Sequence, residues 1–487
     1  MAYPDITKIK DLAKSSKYGT VPVSIQILSD IKTPIQVLNI LKNISSHVYM
    51  LESACDNENW GRYTFLGYSP KMEIVCKNGI ISTDGIKIKT QHPGKYIRQI
   101  LESRRSPKIE GLPSFTGGLV GYFSYDYLKY AEPTLNLDAD DTEGFNDVDL
   151  MLFDKVIAFD NFKQKIILIV NISLDNIDSE YNRALMELEQ MRDLIENGKP
   201  KKNDGGKLKS EFNSLFSREE YCQMIEKAKE HIYEGDIFQI VLSNRLDAEF
   251  EGSLLNTYRI LRTLNPSPYM FYFSGSDMEV AGASPETLVK LEDGVLHTFP
   301  LAGTRPRGKN AEEDITIERE LLSDPKELSE HNMLVDLGRN DIGKISKFGS
   351  VEVEKYHEIL RYSHVMHIGS TVRGEIREDR DTLDAIDAIL PAGTLSGAPK
   401  IKACQLINDL ENNKRGIYGG AIGYIDFTGN LDTCIAIRIA YKKNGRVFVR
   451  SGAGIVADSV PEREFEECIN KAAAVVKAIK AAGELEE

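Results

Sequence analysis

Apolar residues recur along the chain in two rhythms, one typical of strands and the other of helices. The run from Ile157 to Leu174 is rich in β-branched residues and predicts strand structure, whereas Ser179 to Ile195 has the periodicity of an amphipathic helix. Ser217 to Glu220 (SREE) has the form of a capping box, and a second helical pattern follows it until Gly235. The run from Ile237 to Leu242 then predicts a buried strand.

In the second half of the chain, predicted strands follow one another directly. Three such runs span 420–427, 432–442 and 447–452, with only short turns between them. A doubly wound fold would separate its strands by helices in a regular βαβ order. The pattern therefore favours an α+β fold with large, mostly antiparallel sheets.

One segment divides the chain by composition. Residues 198–210 (GKPKKNDGGKLKS) are rich in glycine and lysine and almost free of apolar residues, as in a flexible surface linker. The segment suggests an N-terminal region of residues 1–200 and a C-terminal region of residues 211–487.

Composition and charge exclude some classes of function. The chain has 487 residues and a formal net charge of −14, which argues against non-specific nucleic-acid binding. Its six cysteines are scattered, without zinc spacing, and suit a reducing compartment such as the cytoplasm. We see no signal peptide, and the longest strongly apolar run, Ile166 to Val170, is too short to cross a membrane.

Two predicted helices carry acidic side chains at helical spacing. Glu327 and Glu330 share one face of a helix over 325–337, and Glu464, Glu467 and Lys471 share a face of a helix opened by a capping box at Ser459. Four carboxylates brought together would form an oxygen-only site suited to Mg²⁺. The spacing alone favours the simpler interpretation of two solvated helix faces.

Other segments could bind an anion. Gly452 and Gly454 follow a strand; a dinucleotide-binding turn is poorly supported because no βαβ unit surrounds them, and an anion nest is the alternative. Arg438, predicted inside a strand among apolar residues, needs a charged partner. His364 and His367 would lie on opposite faces of a strand, where either could be an ordinary core residue.

Taken together, the motifs of the chain resemble those of the chorismate-utilising enzymes, and most closely the anthranilate synthase component I (large-subunit) family. The motifs span most of the chain in the family's order: GDIFQIVLS (235–243), NPSPYMFY (265–272), GASPE (282–286), PLAGTRPRG (300–308), DPKELSEHNMLVDLGRND (324–341), PAGTLSGAPK (391–400), YGGAIGY (418–424), LDTCIAIR (431–438) and SGAGIVADSVPEREFEE (451–467). The resemblance implies a two-part α/β sandwich with a central active-site cleft, in which the N-terminal and C-terminal regions interleave.

The resemblance also implies a Mg²⁺ site and a substrate site. Glu330 and Glu467 would bind Mg²⁺ directly and Glu327 and Glu464 through water, so that the metal holds one carboxylate of chorismate. The enolpyruvyl carboxylate would bind to Arg438, Tyr418 and the amides of Gly452 and Gly454. The remaining pocket residues would be Thr304, Thr394 and Lys471.

The implied reaction joins chorismate and ammonia to give anthranilate and pyruvate, the first step of tryptophan biosynthesis. Glu286 would protonate the departing C4 hydroxyl, and His367 matches the histidine linked to the later elimination of pyruvate. Relatives that add water carry a lysine where Gln239 stands, and many aminodeoxychorismate synthases carry one at Ala302. The resemblance therefore favours an amine nucleophile, with aminodeoxychorismate synthase component I as the alternative.

Regulation and a partner follow from the same resemblance. Leu51, Glu52 and Ser53, with Pro268, Tyr269 and Met270, resemble the two halves of a tryptophan feedback pocket, although the second segment could also be an ordinary turn entering a strand. No cysteine lies in the Gly-x-Cys-x-Gly elbow of a glutamine amidotransferase, so a separate glutaminase subunit is expected to supply ammonia. Two other classes, a nucleotide-dependent oxidoreductase and an inactive protein that only binds tryptophan or chorismate, fit the motifs less well.

Overall fold

The protein is described by a computed structural model that covers residues 2–15, 17–54, 61–201, 205–361 and 365–485. The strands are β1 (Thr20–Leu28), β2 (Val48–Glu52), β3 (Tyr63–Tyr68), β4 (Met72–Lys77), β5 (Ile80–Thr83), β6 (Ile86–Lys89), β7 (Gly118–Phe123), β8 (Val148–Phe153), β9 (Lys155–Asp160), β10 (Lys165–Ser173), β11 (Lys207–Leu208), β12 (Asn213–Ser214), β13 (Gln239–Glu251), β14 (Tyr269–Ser274), β15 (Met278–Ser284), β16 (Thr287–Glu292), β17 (Val295–Thr298), β18 (Leu301–Pro306), β19 (Glu352–Arg361), β20 (Val365–Glu375), β21 (Gly397–Ala398), β22 (Ala421–Asp426), β23 (Leu431–Ile435), β24 (Ile439–Lys443) and β25 (Arg446–Ile455).

Along the chain, the helices precede, separate and follow the strands. They are α1 (Ile6–Ala13), α2 (Pro34–Ile44), α3 (Pro93–Ser103), α4 (Leu128–Ala131), α5 (Ile177–Asn197), α6 (Arg218–Tyr233), α7 (Leu255–Leu264), α8 (Ala311–Ser323), α9 (Pro325–Gly343), α10 (Thr382–Ile389), α11 (Lys400–Glu411) and α12 (Pro461–Ala482), with short 3-10 helices at Tyr125–Tyr127 and Gly393–Leu395. Within the described ranges, no helix is both long and apolar enough to span a membrane.

Two large antiparallel sheets form the centre of the fold, as the strand pattern predicted. The first runs in the order β1-β10-β9-β3-β2-β14-β15-β24-β25-β13-β11, with β12 and β21 also paired to β13. The second runs β18-β20-β17-β16-β23-β22-β7-β8-β4-β5-β6, with β19 paired to β20. The α+β sandwich expected from the resemblance is confirmed.

Strand alternation explains how the layers pack. In β10, Ile166, Leu168 and Val170 point to a core shared with helices such as α5, whereas Ile167 and Ile169 point to the core between the sheets. A strand buried on both faces needs apolar residues at every position, which accounts for the continuous run. A third core packs the outer face of the second sheet against helices including α9 and α10.

Both sheets mix strands from before and after residue 200. In the first sheet β2 lies beside β14, and in the second sheet β7 lies beside β22. Part of the predicted linker is also ordered, because Lys207 and Leu208 pair with Glu251 and Phe250 of β13. Residues 202–204 lie outside the described ranges.

Three local predictions need correction. The run 157–174 is not continuous strand but a hairpin of β9 and β10 that turns at Asn161 to Gln164. The run 432–442 is divided between β23 of the second sheet and β24 of the first, because the chain crosses between sheets at this point. The predicted capping box at Ser459 is absent: α12 begins one residue later with Val460 as its N-cap, and the Ser459 hydroxyl accepts from the Val456 amide.

Candidate active site

A cavity of about 680 Å³ lies where elements of both sheets meet α9 and α12. It is lined by every residue that the sequence assigned to catalysis, substrate or metal: Gln239, Glu286, Thr304, Glu327, Glu330, His367, Thr394, Tyr418, Arg438, Gly452, Gly454, Glu464, Glu467 and Lys471. These residues come from distant parts of the chain, so their convergence is a property of the tertiary fold. His364 lies outside the described residues.

Glu286 is a partly buried residue whose carboxyl group has a raised pKa. It lies between β15 and β16, directly before Thr287, and the Thr394 hydroxyl donates a hydrogen bond of 3.0 Å to its Oε1. Burial raises the pKa of Glu286 to about 7, although Thr394, Arg438 and Lys471 each oppose this increase. Near neutral pH the group can therefore carry a proton and donate it, which an ordinary glutamate cannot do.

His367 faces the cavity from β20. Its Nδ1 lies 3.0 Å from the Thr304 hydroxyl of the neighbouring strand β18, and the two residues are paired in register. Burial lowers the pKa of His367, and the positive charge of Arg438 lowers it further. The imidazole is therefore neutral at physiological pH and can accept a proton.

The two acidic helices present their carboxylates to one cavity. Glu327 and Glu330 extend from α9, and Glu464 and Glu467 extend from α12. Burial raises the pKa of Glu330, and Glu327 and Glu467 add to this effect by like-charge repulsion. The pKa of Glu464 is raised by burial and by Glu467. Both helices therefore direct carboxylates to the same cavity, while the Glu467 side chain keeps 50% of its surface exposed.

The four glutamates fit a cation that also takes ligands from solvent or substrate. Two of them already have cationic partners: Glu467 lies 2.7 Å from Lys471 Nζ, and Glu327 lies 3.0 Å from Arg305 Nη1. Within the described residues, no three of these four carboxylates have oxygens that all lie within 4.8 Å of one another. Carboxylate oxygens are ligands of the type that Mg²⁺ takes in proteins, where it usually keeps several waters.

The glycines of β25 line the cavity, and other protein groups pack closely against them. A Cβ at Gly452 would lie 2.6 Å from the Leu242 carbonyl oxygen and 3.0 Å from the Tyr418 hydroxyl, and one at Gly454 would lie 2.9 Å from Gln239 Nε2. Lys471 Nζ donates a 3.2 Å hydrogen bond to the Gly452 carbonyl. Both glycines lie inside the strand rather than in a turn after it, so the dinucleotide-binding turn is wrong.

Arg438 is not a strand residue, contrary to the prediction. It lies between β23 and β24 with a φ of 53°, at the crossing from the second sheet to the first. This left-handed backbone turns the residue toward the cavity, a position that strand alternation could not reveal.

One buried strand arginine of this region is Arg450 of β25, which sequence reasoning missed. Arg450 is 1% exposed and donates to Glu411 Oε2 at 2.9 Å. Glu411 also binds Arg415, which donates to the carbonyls of Leu395 (2.6 Å) and Val241 (2.7 Å). The same argument that selected Arg438, a cation among apolar strand residues, would have found Arg450. Arg305, which holds Glu327, could have been found in the PLAGTRPRG motif.

Ala302 and Gln239 both line the cavity. Ala302 lies on β18, and Gln239 begins β13, where it is 7% exposed and paired with Ala398. Neither side chain can act as a nucleophile or as a strong base at neutral pH.

A second cavity of about 640 Å³ lies between the sheets and contains all six residues of the predicted feedback pocket, namely Leu51, Glu52, Ser53, Pro268, Tyr269 and Met270. Aromatic side chains from both sheets, including Phe65 and Tyr424, also line it. Glu52 is held by Arg262 at 2.5 Å and by the Tyr258 hydroxyl. The Tyr269 hydroxyl contacts Asp432 Oδ1 at 2.8 Å and Thr287 Oγ1 at 2.9 Å. The two distant segments therefore line one cavity.

Comparison with known proteins gives a consistent result. Residues 47–477 match the chorismate binding enzyme family. The chain is 45% identical to anthranilate synthase component 1 of Acetivibrio thermocellus, with both chains covered completely, and 46% identical to that of Aquifex aeolicus, with 97% of each covered. The solved structure of anthranilate synthase component I from Streptococcus pneumoniae TIGR4 superposes with a TM-score of 0.76 at 35% identity, covering 92% of this chain and 98% of the other. The chain therefore belongs to the chorismate-binding enzyme family, among its anthranilate synthase component 1 members.

Proposed function

We propose that this chain converts chorismate and ammonia into anthranilate and pyruvate. The observation that carries the proposal is the cavity in which Glu286, with a pKa raised to about 7, lies within electrostatic reach of Arg438 and Lys471 beside four glutamates. Such a site offers a proton donor, cationic partners for one carboxylate and oxygen ligands for a metal. These are the groups that a dianionic substrate with a hydroxyl leaving group requires.

Substrate binding would use both ends of the cavity. Arg438, Tyr418 and the backbone of Gly452 and Gly454 would hold the enolpyruvyl carboxylate. Glu330 and Glu467, with Glu327 and Glu464 acting through water, would hold Mg²⁺ near the ring carboxylate. When bound, Mg²⁺ supplies charge neutralisation and orientation of that carboxylate.

In the first step, ammonia attacks C2 of the ring while the C4 hydroxyl leaves. The protonated Glu286 donates its proton to this hydroxyl, which departs as water, and the Thr394 hydroxyl fixes the orientation of the carboxyl group. The incoming amine then loses a proton to solvent and becomes neutral.

In the second step, the C2 proton is removed and the enolpyruvyl oxygen leaves C3, which gives the aromatic ring. The neutral imidazole of His367 is the acceptor for this proton, and Thr304 orients the ring through Nδ1. The fragment leaves as an enolate, which takes up a proton at its CH₂ carbon and becomes pyruvate.

The nucleophile is an amine rather than water. A lysine at the position of Gln239 could activate water, whereas Gln239 can only orient a nucleophile that carries its own lone pair. Ala302 likewise offers no side-chain amine for a covalent route, which favours anthranilate synthase over aminodeoxychorismate synthase.

The proposal includes a partner, an inhibitor and a compartment. A glutamine amidotransferase subunit would release ammonia, as the designation component 1 of the relatives suggests. Tryptophan would bind in the cavity between the sheets and act as a feedback inhibitor. The described cysteines form no disulfide, which suits the cytoplasm.

A product assay tests the proposal directly. The purified chain is incubated with chorismate, Mg²⁺ and ammonium at mildly alkaline pH, and the products are separated by chromatography. We expect anthranilate and pyruvate in equal amounts, and EDTA should abolish both until Mg²⁺ is restored. Aminodeoxychorismate, isochorismate or salicylate as the product would refute the assignment.

A further inference from the structure

A third cavity, much smaller than the other two, adjoins the proposed general acid. Its volume is about 50 Å³, and three residues of the active-site cavity, Glu286, Leu334 and Thr394, line it as well. We call it the small cavity. Its remaining walls come mainly from α9, from the strands β16 and β17 and from the segment around the end of α10. The two cavities therefore meet at Glu286.

The small cavity has a size and a lining that suit bound water. The polar side chains of Thr298 and Asp341 line it together with Glu286 and Thr394. A water molecule takes up about 30 Å³ in the liquid and needs roughly two to four polar partners in a protein, whereas cavities with only apolar walls stay dry. The polar lining therefore favours water over an apolar ligand.

Thr298, the last residue of β17, supplies a hydroxyl group without a protein partner. The residue is 7% exposed, and its Oγ1 is buried without a hydrogen bond to any residue that the structure describes. A Cβ at Gly338 of α9 would lie 3.0 Å from this oxygen, so an alanine there would crowd the hydroxyl group. Since a buried hydroxyl group without a partner costs free energy, Thr298 points to a ligand in the small cavity.

Asp341 of α9 offers an acceptor that two lysines hold in place. Its Oδ2 lies 2.5 Å from Lys400 Nζ, and its Oδ1 lies 3.4 Å from Lys344 Nζ. Lys400 also donates to the Ile389 carbonyl at 3.0 Å, which ties the ion pair to the end of α10. Because a carboxylate can accept several hydrogen bonds, Asp341 can accept a further one from water.

We propose that the small cavity holds ordered water that joins Thr298 and Asp341 to the carboxyl group of Glu286. The proposal rests on the proposed function, because it assigns this water to the general acid of that reaction. The Thr298 hydroxyl donates to the water, and the water donates to the carboxylates of Asp341 and Glu286. Thr298 and Asp341 are then positioning residues, which act on Glu286 through the water.

The water would assist proton transfer from Glu286. When Glu286 gives its proton to the departing C4 hydroxyl, a negative charge forms on its carboxyl group. A hydrogen bond from the water stabilises this charge, as the bond from the Thr394 hydroxyl does, and adds to the attraction of Arg438 and Lys471. Loss of the water should therefore raise the pKa of Glu286 further.

A high-resolution crystal structure of the full chain tests the water site, whether or not the chain is active. We expect density for water within about 3 Å of Thr298 Oγ1 and of the carboxyl oxygens of Asp341 and Glu286. A cavity without such density, or one that a side chain fills, would overturn the proposal.

Three variants test the effect on the general acid. Thr298→Val removes the hydroxyl group with little change of shape, and Gly338→Ala adds a methyl group beside it from the opposite wall. Thr257→Val is the matched control: Thr257 is 0% exposed and its hydroxyl group also has no partner among the described residues, but it lines neither the active-site cavity nor the small cavity. The pH profile of kcat is measured with ammonium at a fixed concentration of free ammonia.

We expect the alkaline limb of the profile to move to higher pH by about half a unit in both cavity variants, which is about threefold in the acid dissociation constant of Glu286. Thr257→Val should keep the wild-type profile. Wild-type profiles in both cavity variants would overturn the proposal, as would an equal shift in the control. Absence of ammonium-dependent anthranilate formation in the wild type would instead refute the proposed function, and the crystal structure would still decide the water site.

Discussion

The expected reactivity of single side chains in the cavity depends on their surroundings. Burial shifts the pKa of both Glu286 and His367, but in opposite directions: the pKa of the carboxyl group rises and the pKa of the imidazole falls. Burial favours the neutral form of each group. A proton donor and a proton acceptor are thus both available near neutral pH, as the two-step reaction requires.

The role of Glu286 can be tested by replacing its ionisable carboxyl group with an amide of similar shape. We expect Glu286→Gln to lower kcat by at least about hundredfold with little change in KM for chorismate, because an amide cannot protonate the leaving hydroxyl. Steady-state kinetics with ammonium measures both constants. A kcat within about threefold of the wild type would exclude Glu286 as the general acid.

The pH dependence of kcat should reflect the protonation of Glu286. Since the protonated fraction of Glu286 decreases as the pH rises past about 7, we expect kcat to decrease on the alkaline side at a fixed concentration of free ammonia. In Thr394→Val the hydrogen bond that stabilises the carboxylate is lost, so the pKa should increase and the alkaline limb should move to higher pH. If the alkaline limb of the Thr394→Val profile stayed in place or moved to lower pH, Glu286 would not be the group that this limb reports.

Among the elements, a buried ion network connects the strands and the loop that form one wall of the cavity. Glu411 on α11 binds the guanidinium groups of Arg415 and Arg450 and also accepts from the Ser243 amide of β13 at 2.8 Å. Arg415 in turn binds the carbonyl of Leu395, next to Thr394, and lies against the ring of Tyr418. The positions of Thr394 and Tyr418 therefore depend on a group that touches no substrate.

We expect Glu411→Gln to reduce the free energy of unfolding by at least about 3 kcal/mol, because it removes the carboxylate that two buried guanidinium groups share. Urea denaturation followed by circular dichroism measures the change. Asp336→Asn is the matched control: it removes an exposed ion pair with Arg339, which should cost less than about 1 kcal/mol. Equal effects of the two substitutions would mean that the buried network contributes no special stability.

For the whole molecule, the two cavities are linked through adjacent strands. Tyr269 of β14 lines the cavity between the sheets and is paired with Ser284 of β15, two residues before Glu286. Its hydroxyl also contacts Thr287, the residue after Glu286. A ligand that displaces Tyr269 would therefore disturb the segment that carries the proposed general acid.

We expect tryptophan and chorismate to weaken each other's binding by the same factor, because a coupling free energy between two sites is reciprocal. Calorimetric titration of each ligand with and without the other measures the two factors. Tyr269→Phe should still bind tryptophan but show a smaller coupling factor, since its contacts with Thr287 and Asp432 are lost. If that variant kept the full factor, coupling through Tyr269 would be disproved.

Local sequence patterns determined the features that depend only on neighbouring residues. The helix predicted from Ser217 has both hydrogen bonds of its capping box, and the helix predicted over 179–195 is observed as α5. Glu327 and Glu330 share a helix face because helical geometry fixes side-chain direction over a few residues. The motifs added the family and the expected site residues.

The tertiary structure alone decided what depends on contacts between distant segments. Arg438 occupies a crossing between two sheets, and a strand pattern cannot show that its two halves belong to different sheets. The capping box expected at Ser459 gave way to a contact with Val456, a competition that spacing cannot resolve. The raised pKa of Glu286 likewise comes from burial among groups more than a hundred residues away in sequence, including Thr394 and Arg438. The sequence by itself therefore determines the chemical type of each side chain and the direction in which neighbouring side chains of one element point. Burial of a side chain, and proximity between residues far apart in the sequence, arise only when the two sheets pack against each other.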